Sequence, residues 1–80
     1  MKVPTKTPTP EQFKAARTRA GLTQREASIM IFGADNHRGV QNWETGARDC
    51  PLGQYILFLL MTGQITRRQA LAAVKKRMQK

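Results

Sequence analysis

Apolar residues recur at helical spacing along most of this chain, and capping signals divide the pattern into segments. The tetrapeptide TPEQ at positions 9–12 is a capping box with proline in the first helical turn, so a helix is predicted from there to Ala20, before Gly21. Phe13 and Ala16 give this first helix an inner apolar stripe. No segment alternates strictly between apolar and polar residues, so the pattern favours an all-α fold.

Two shorter helices are predicted to follow. The capping box TQRE at 23–26 opens a helix over about 24–32, and the turn after it breaks the apolar run. Either Asp35 or Asn36 can cap a third helix over about 37–45.

The C-terminal part of the chain predicts two more helices. One begins at Pro51 or Leu52 and ends near position 62, and its unbroken apolar run at 56–61 covers more than one core-facing stripe requires. The capping box TRRQ at 66–69 opens the last helix, whose apolar residues recur at spacings of three and four. These residues are Leu71, Val74 and Met78. We expect them to dock on the fourth helix of the same chain or of a second copy.

The length of 80 residues accommodates one domain, near the size at which a single core is marginally stable. Residues 1–9, MKVPTKTPT, have almost no apolar content and are predicted to form a flexible basic arm. Residues 10–80 are predicted to form the domain, which includes a basic C-terminal helix over 66–80.

The third helix has two chemically different faces. Val40 and Trp43 are three residues apart and are predicted to point into the core. The other side carries His37, Arg38, Gln41 and Asn42. An arginine can donate two hydrogen bonds to guanine, and an asparagine or glutamine can pair two-fold with adenine, so this face predicts contacts with bases in a major groove. Gly39 is expected to let the helix backbone approach that groove closely.

The chain has a net charge of +9, from 14 Lys and Arg against 5 Asp and Glu. A charge of this size indicates that the helical domain binds a polyanionic partner. The longest apolar run, at 55–61, is far shorter than the roughly 20 residues of a membrane-spanning helix, and no signal peptide is evident. We therefore expect a cytoplasmic protein that does not enter a membrane.

Catalytic and metal chemistry has little support in the sequence. His37 is the only histidine and Cys50 the only cysteine, so neither an internal disulfide nor a cysteine-based zinc site can form. The chain has no glycine-rich phosphate loop, and its acidic residues are scattered. We expect no enzyme activity, no metal site and no cofactor.

Three segments resemble the helix-turn-helix family of Cro and phage-type repressors, the XRE family. LTQREA at 22–27 is similar to the start of that family's second helix, VQNWETG at 40–46 to the end of its recognition helix, and RDCP at 48–51 to its basic loop. The stretch from Thr23 to Trp43 is longer than is usual in the family. The resemblance implies a compact five-helix, lambda-repressor-like DNA-binding domain, with the helix-turn-helix at helices 2 and 3.

The resemblance also implies roles for particular residues. The family's base-contacting positions fall on His37, Arg38 and Asn42, and Gln41 faces the same way. Phosphate contacts are expected from Gln24, which occupies the family's phosphate-binding position, and also from Arg25, Asn36 and Arg48. A structural pair is expected between Arg17 and Glu44, beside the packed Val40 and Trp43.

These expectations lead to a dimeric transcriptional regulator that binds a pseudo-palindromic operator in double-stranded DNA. It would repress its own or a neighbouring promoter, and a phage or mobile-element origin, including an anti-CRISPR-associated autorepressor, fits a chain of this kind. The alternative is an antitoxin that sequesters a toxin protein and regulates its own operon. RNA binding has less support, because the basic C-terminal segment lacks the exposed aromatic residues that single-strand recognition uses.

Overall fold

Five helices form in the order that the capping signals predict. The computed structural model describes residues 3–78, and among these the side chains of Val74 and of residues 76–78 are not described. The helices are α1 (Pro10–Arg19), α2 (Gln24–Phe32), α3 (His37–Thr45), α4 (Leu52–Met61) and α5 (Arg67–Met78). Residues 3–78 contain no strand, so the all-α prediction is confirmed.

The three predicted capping boxes are present and fix where their helices begin. At α2 the amide of Glu26 donates to Thr23 Oγ1 over 3.1 Å, and the amide of Thr23 donates back to the Glu26 carboxylate over 2.9 Å. Hydrogen bonding of the Glu26 carboxylate to the backbone amide and then to the side chain of Thr23 holds the pKa of Glu26 below its ordinary value, because it favours the charged form. The boxes at 9–12 and 66–69 have the same reciprocal hydrogen bonds.

An aromatic cluster around Phe13 occupies the centre of the core. The Phe13 ring lies 5.3 Å from Trp43 on α3, 5.3 Å from Phe58 and 6.2 Å from Tyr55 on α4, measured between ring centroids. Phe13 and Phe58 are fully buried. Since Phe13 belongs to α1, this one side chain joins three helices, and α3 is held with its Trp43 side inward.

Helix α5 packs on α4, and of the three residues predicted to dock there only Leu71 has a described side chain. Ala70 packs against the core, whereas Leu71 is 51 % exposed, so Leu71 does not dock within its own chain. The expected docking of Val74 and Met78 lies outside the described side chains. On α4, Leu57 and Met61 are also about half exposed.

The N-terminal segment lies against the body of the protein from Val3 onward. Val3 packs on the core and Pro8 is buried, whereas residues 5–7 are exposed. The first two residues of the predicted arm, like the last two of the predicted C-terminal helix, lie outside the described residues. Flexibility of the arm stays a prediction.

Candidate nucleic-acid interface

Helix α3 separates its apolar and polar side chains onto opposite faces. Val40 is fully buried and Trp43 is 7 % exposed. Arg38 and Gln41 are exposed on the other side, and Asn42 is half-buried at its margin. The side chains with the hydrogen-bonding patterns that match base edges are therefore the ones that solvent can reach.

The start of α3 is held by a small polar network in the turn after α2. Of the two candidate caps, Asn36 is the residue that caps, because its side-chain oxygen accepts from the amide of Gly39 at 3.3 Å. The amide of Asn36 donates in turn to the hydroxyl of Ser28, which donates to the carbonyl of Arg25 at 2.6 Å. Ser28 is fully buried, and sequence reasoning missed it. The sequence signal for Ser28 was a hydroxyl-bearing residue within the otherwise apolar run of α2.

Gly39 has a reason inside the protein for lacking a side chain. A Cβ at this position would lie 3.0 Å from Asn36 Nδ2 and 3.3 Å from Cε2 of Phe32. Close approach of the α3 backbone to a groove at Gly39 stays a prediction beside this internal reason. The missing side chain makes room for the α3 cap and for Phe32, whose ring lies 5.3 Å from that of Trp43.

A shallow groove of about 370 Å³ runs between α3 and the start of α4. Its polar lining brings Arg38 and Asn42 together with Arg48 from the following loop. The backbone amide of Arg48 donates to the carbonyl of Asn42 at 3.1 Å, which fixes the loop on the end of α3. Gln54 of α4 also lines the groove, and the sequence analysis did not single it out.

The structural pair that the resemblance implies is present. Arg17 Nε donates to Glu44 Oε2 at 2.7 Å, and Nη2 donates to Oε1 at 3.1 Å. Arg17 also donates to the carbonyl of Leu22 at 2.8 Å. The side chains of Arg17 and Glu44 are 14 % and 5 % exposed, so this is a largely buried connection between α1, α3 and the segment before α2.

Gln24, an expected phosphate contact, has a side-chain partner in the free protein. Its amide nitrogen donates to Glu44 Oε1 at 3.3 Å, and the residue is half-buried at the first position of α2. The end of α2 that carries it has the positive pole of the helix dipole. Gln24 therefore links the buried Arg17 pair to a helix end suited to an anion.

Two further residues that are expected to contact DNA, Arg25 and His37, lie against Asp35 in the turn before α3. Nε of Arg25 lies 3.1 Å from Asp35 Oδ2, and Nδ1 of His37 lies 3.3 Å from Asp35 Oδ1. The Arg25 side chain is 71 % exposed and that of His37 is 57 % exposed. The structure thus brings together one cationic residue from α2 and the first residue of α3 around a single carboxylate.

Thr45 is a further exposed residue on the polar side of α3. It follows Gln41 by four residues and Arg38 by seven, so all three share one helix face. The helical spacing that relates Arg38 to Gln41, continued by one more turn, was the sequence signal for Thr45.

Reactive and metal-binding groups are sparse in the described part of the chain. Cys50 is 2 % exposed, and burial raises the pKa of its thiol to about 12, which disfavours a nucleophilic thiolate. Within the residues whose placement is described, no group of three His, Cys, Asp or Glu side chains could hold a metal ion.

Comparisons with protein-family models, with curated proteins and with solved structures found no match for this chain. Over residues 3–78, no helix has both the length and the apolar character needed to cross a bilayer.

Proposed function

We propose that this protein is a sequence-specific DNA-binding regulator with a lambda-repressor-like helix-turn-helix formed by α2 and α3. The observation that carries the proposal is the exposed face of α3, where Arg38, Gln41 and Asn42 stand opposite the buried Val40 and Trp43. A major groove about 12 Å wide admits one α-helix, and these side chains match guanine and adenine edges. Resemblance to the XRE family supports the same reading.

The surroundings of α3 supply the expected phosphate contacts. Arg25 at the start of α2 and Arg48 after α3 are exposed, and the first amides of α2 favour a phosphate. Contacts of this kind hold a reading helix in register without specifying sequence. The net charge of +9 adds long-range attraction to a polyanion.

We further propose that the active form is a homodimer on a pseudo-palindromic operator, acting as a repressor in the cytoplasm. A single helix reads few bases, and two copies one DNA turn apart, roughly 34 Å, would read two half-sites. The half-exposed Leu57, Met61 and Leu71 on α4 and α5 offer apolar surface for a second copy. Replacing Leu57 by lysine is expected to dissociate such a dimer without unfolding the monomer, which sedimentation would measure.

The central experiment compares selected with random duplex DNA. Duplexes enriched from a random pool by the purified protein supply the operator, and fluorescence anisotropy supplies the dissociation constants. Arg38→Ala and Asn42→Ala are each expected to cost about 1 to 3 kcal/mol on the operator and to leave binding to random duplexes nearly unchanged. Arg19→Ala, which removes an exposed arginine from α1, is the matched control. Equal losses on both DNAs would contradict base reading by α3.

Phosphate contacts have a different expected signature. Gln24→Ala and Arg48→Ala should weaken binding to every sequence, and Arg48→Ala should lower the slope of log affinity against log salt by about one. An unchanged slope would remove Arg48 from the phosphate contacts.

The antitoxin alternative has one supporting observation. Leu71 lies beside Arg67, Arg68 and Lys75 in a shallow depression on α5, an apolar and basic surface suited to an acidic partner protein. Because such an antitoxin would also bind its own operator, duplex binding does not separate the two candidates. A toxin gene beside the gene for this protein would favour the antitoxin, and its absence would favour the regulator.

A further inference from the structure

We infer that Asp35 is a positioning residue that orients Arg25 and His37 toward DNA, an inference that rests on the proposed function. Asp35 lies in the turn between α2 and α3, within the stretch from Thr23 to Trp43 that is longer than is usual in the family the chain resembles. Its carboxylate holds the two side chains separately, Oδ2 facing Arg25 and Oδ1 facing His37. One residue of the turn therefore contacts an expected phosphate-binding side chain of α2 and an expected base-contacting side chain of α3.

The geometry at Arg25 leaves its phosphate-binding edge free. Asp35 lies 3.1 Å from Nε, at the inner edge of the guanidinium. The terminal Nη groups donate no hydrogen bond to any described part of the protein. A guanidinium has five N–H donors in a rigid fork, so its inner edge can stay on a carboxylate while its outer edge takes a phosphate. Asp35 thus restricts the rotation of a long side chain without occupying the groups that would bind DNA.

The geometry at His37 fixes which ring nitrogen faces outward. An ionised carboxylate only accepts hydrogen bonds, so Nδ1 of His37 must carry the proton in the contact with Asp35. Nε2 is then the free nitrogen, and in the neutral ring it is an acceptor. An acceptor at the start of α3 matches the amino group of cytosine or adenine in the major groove.

Asp35 also places a negative charge close to the surface proposed to face phosphates, so its removal has two opposing effects. Loss of the charge strengthens binding to any polyanion, whereas loss of the positioning weakens it. Asp49 permits the two to be separated, because it lines the groove beside α3, is exposed, and has no ion pair with any side chain that the structure describes. Asp49→Asn changes the net charge by the same amount as Asp35→Asn.

The test titrates the full-length protein with random and selected duplex DNA at several salt concentrations. Arg25→Lys keeps the charge but cannot use two edges at once, so we expect it to weaken binding about two- to tenfold, the range for one preordered side chain. In an Asp35→Asn background the same change should cost less than about twofold, and Asp35→Asn should bind more weakly than Asp49→Asn. Equal Arg25→Lys losses in both backgrounds, or equal affinities of the two Asp→Asn variants, would overturn the positioning of Arg25.

A measurement without DNA tests the other half of the inference. Nitrogen-15 chemical shifts of the single imidazole should show the proton on Nδ1 in the natural protein and a changed proton distribution in Asp35→Ala. Unchanged shifts would overturn the positioning of His37. If the natural protein bound no duplex at all, the proposed function would fail and the DNA role of Asp35 with it, while the nitrogen shifts would still report whether the contact exists.

Discussion

Replacement of Arg17 by methionine tests how much of the fold depends on the buried pair beneath α3. Methionine keeps an apolar stem of similar length and removes the guanidinium. The change deletes two hydrogen bonds to Glu44 and one to the carbonyl of Leu22. It leaves a carboxylate that is only 5 % exposed, with the amide of Gln24 at 3.3 Å as its remaining side-chain partner.

The expected loss of unfolding free energy follows from the Glu44 carboxylate that is left without its partner. Removing one member of a buried ion pair typically costs about 3 to 5 kcal/mol, and we expect about 3 because Arg17 itself is 14 % exposed. A domain of this size has roughly 4 to 12 kcal/mol of stability, so the loss is large but measurable. In the Glu44→Gln background Arg17→Met strands no carboxylate, and it should then cost about 1 kcal/mol.

The measurement is urea unfolding followed by the fluorescence of Trp43, the only tryptophan. The expected coupling energy between Arg17 and Glu44 is about 2 kcal/mol, with an unchanged dependence of the unfolding free energy on urea. A cost of Arg17→Met that is the same in both backgrounds would refute the reasoning, because it would show that Glu44 is not the group left unpaired.

Four further predictions concern the core, the thiol, the glycines and the C-terminus. Trp43→Ala should cost about 3 to 5 kcal/mol, and a variant that still melts cooperatively near the natural temperature would contradict its place in the core. Burial raises the pKa of the Cys50 thiol from 9.0 to about 12 in the folded protein, so the free energy of unfolding should fall as pH rises from about 9 toward 12. A thiol reagent should react with Cys50 only after unfolding, and rapid labelling of the folded protein would contradict this. Gly53→Ala should stabilise the protein by about 0.5 to 1 kcal/mol in a thermal melt, because a Cβ added at this position meets nothing within 4 Å. Gly39→Ala should stabilise it less, and equal gains in the two variants would show that the space at Gly39 is not limiting. Deleting residues 66–80 should expose apolar surface on α4 and cause dissociation or aggregation in sedimentation, whereas an unchanged oligomer would argue against docking of α5.

The sequence by itself determined the helices and their ends. Capping boxes act over three residues, and a left-handed glycine ends a helix locally, so the predicted start of α2 and the end of α3 agree with the structure. The two faces of α3 were equally readable, because burial of Val40 and Trp43 at helical spacing needs no knowledge of the partner that covers them.

Tertiary structure decided how side chains far apart in the sequence share partners. Glu44 receives Arg17 from α1 and Gln24 from α2, and only the packing of the helices shows that an expected phosphate contact is engaged there. The space that Gly39 leaves is filled by Phe32, and Leu71 remains exposed while Ala70 packs. Local sequence fixes torsion angles and caps, which depend on near neighbours, whereas contacts between helices depend on how several elements together bury their apolar faces and pair their charges.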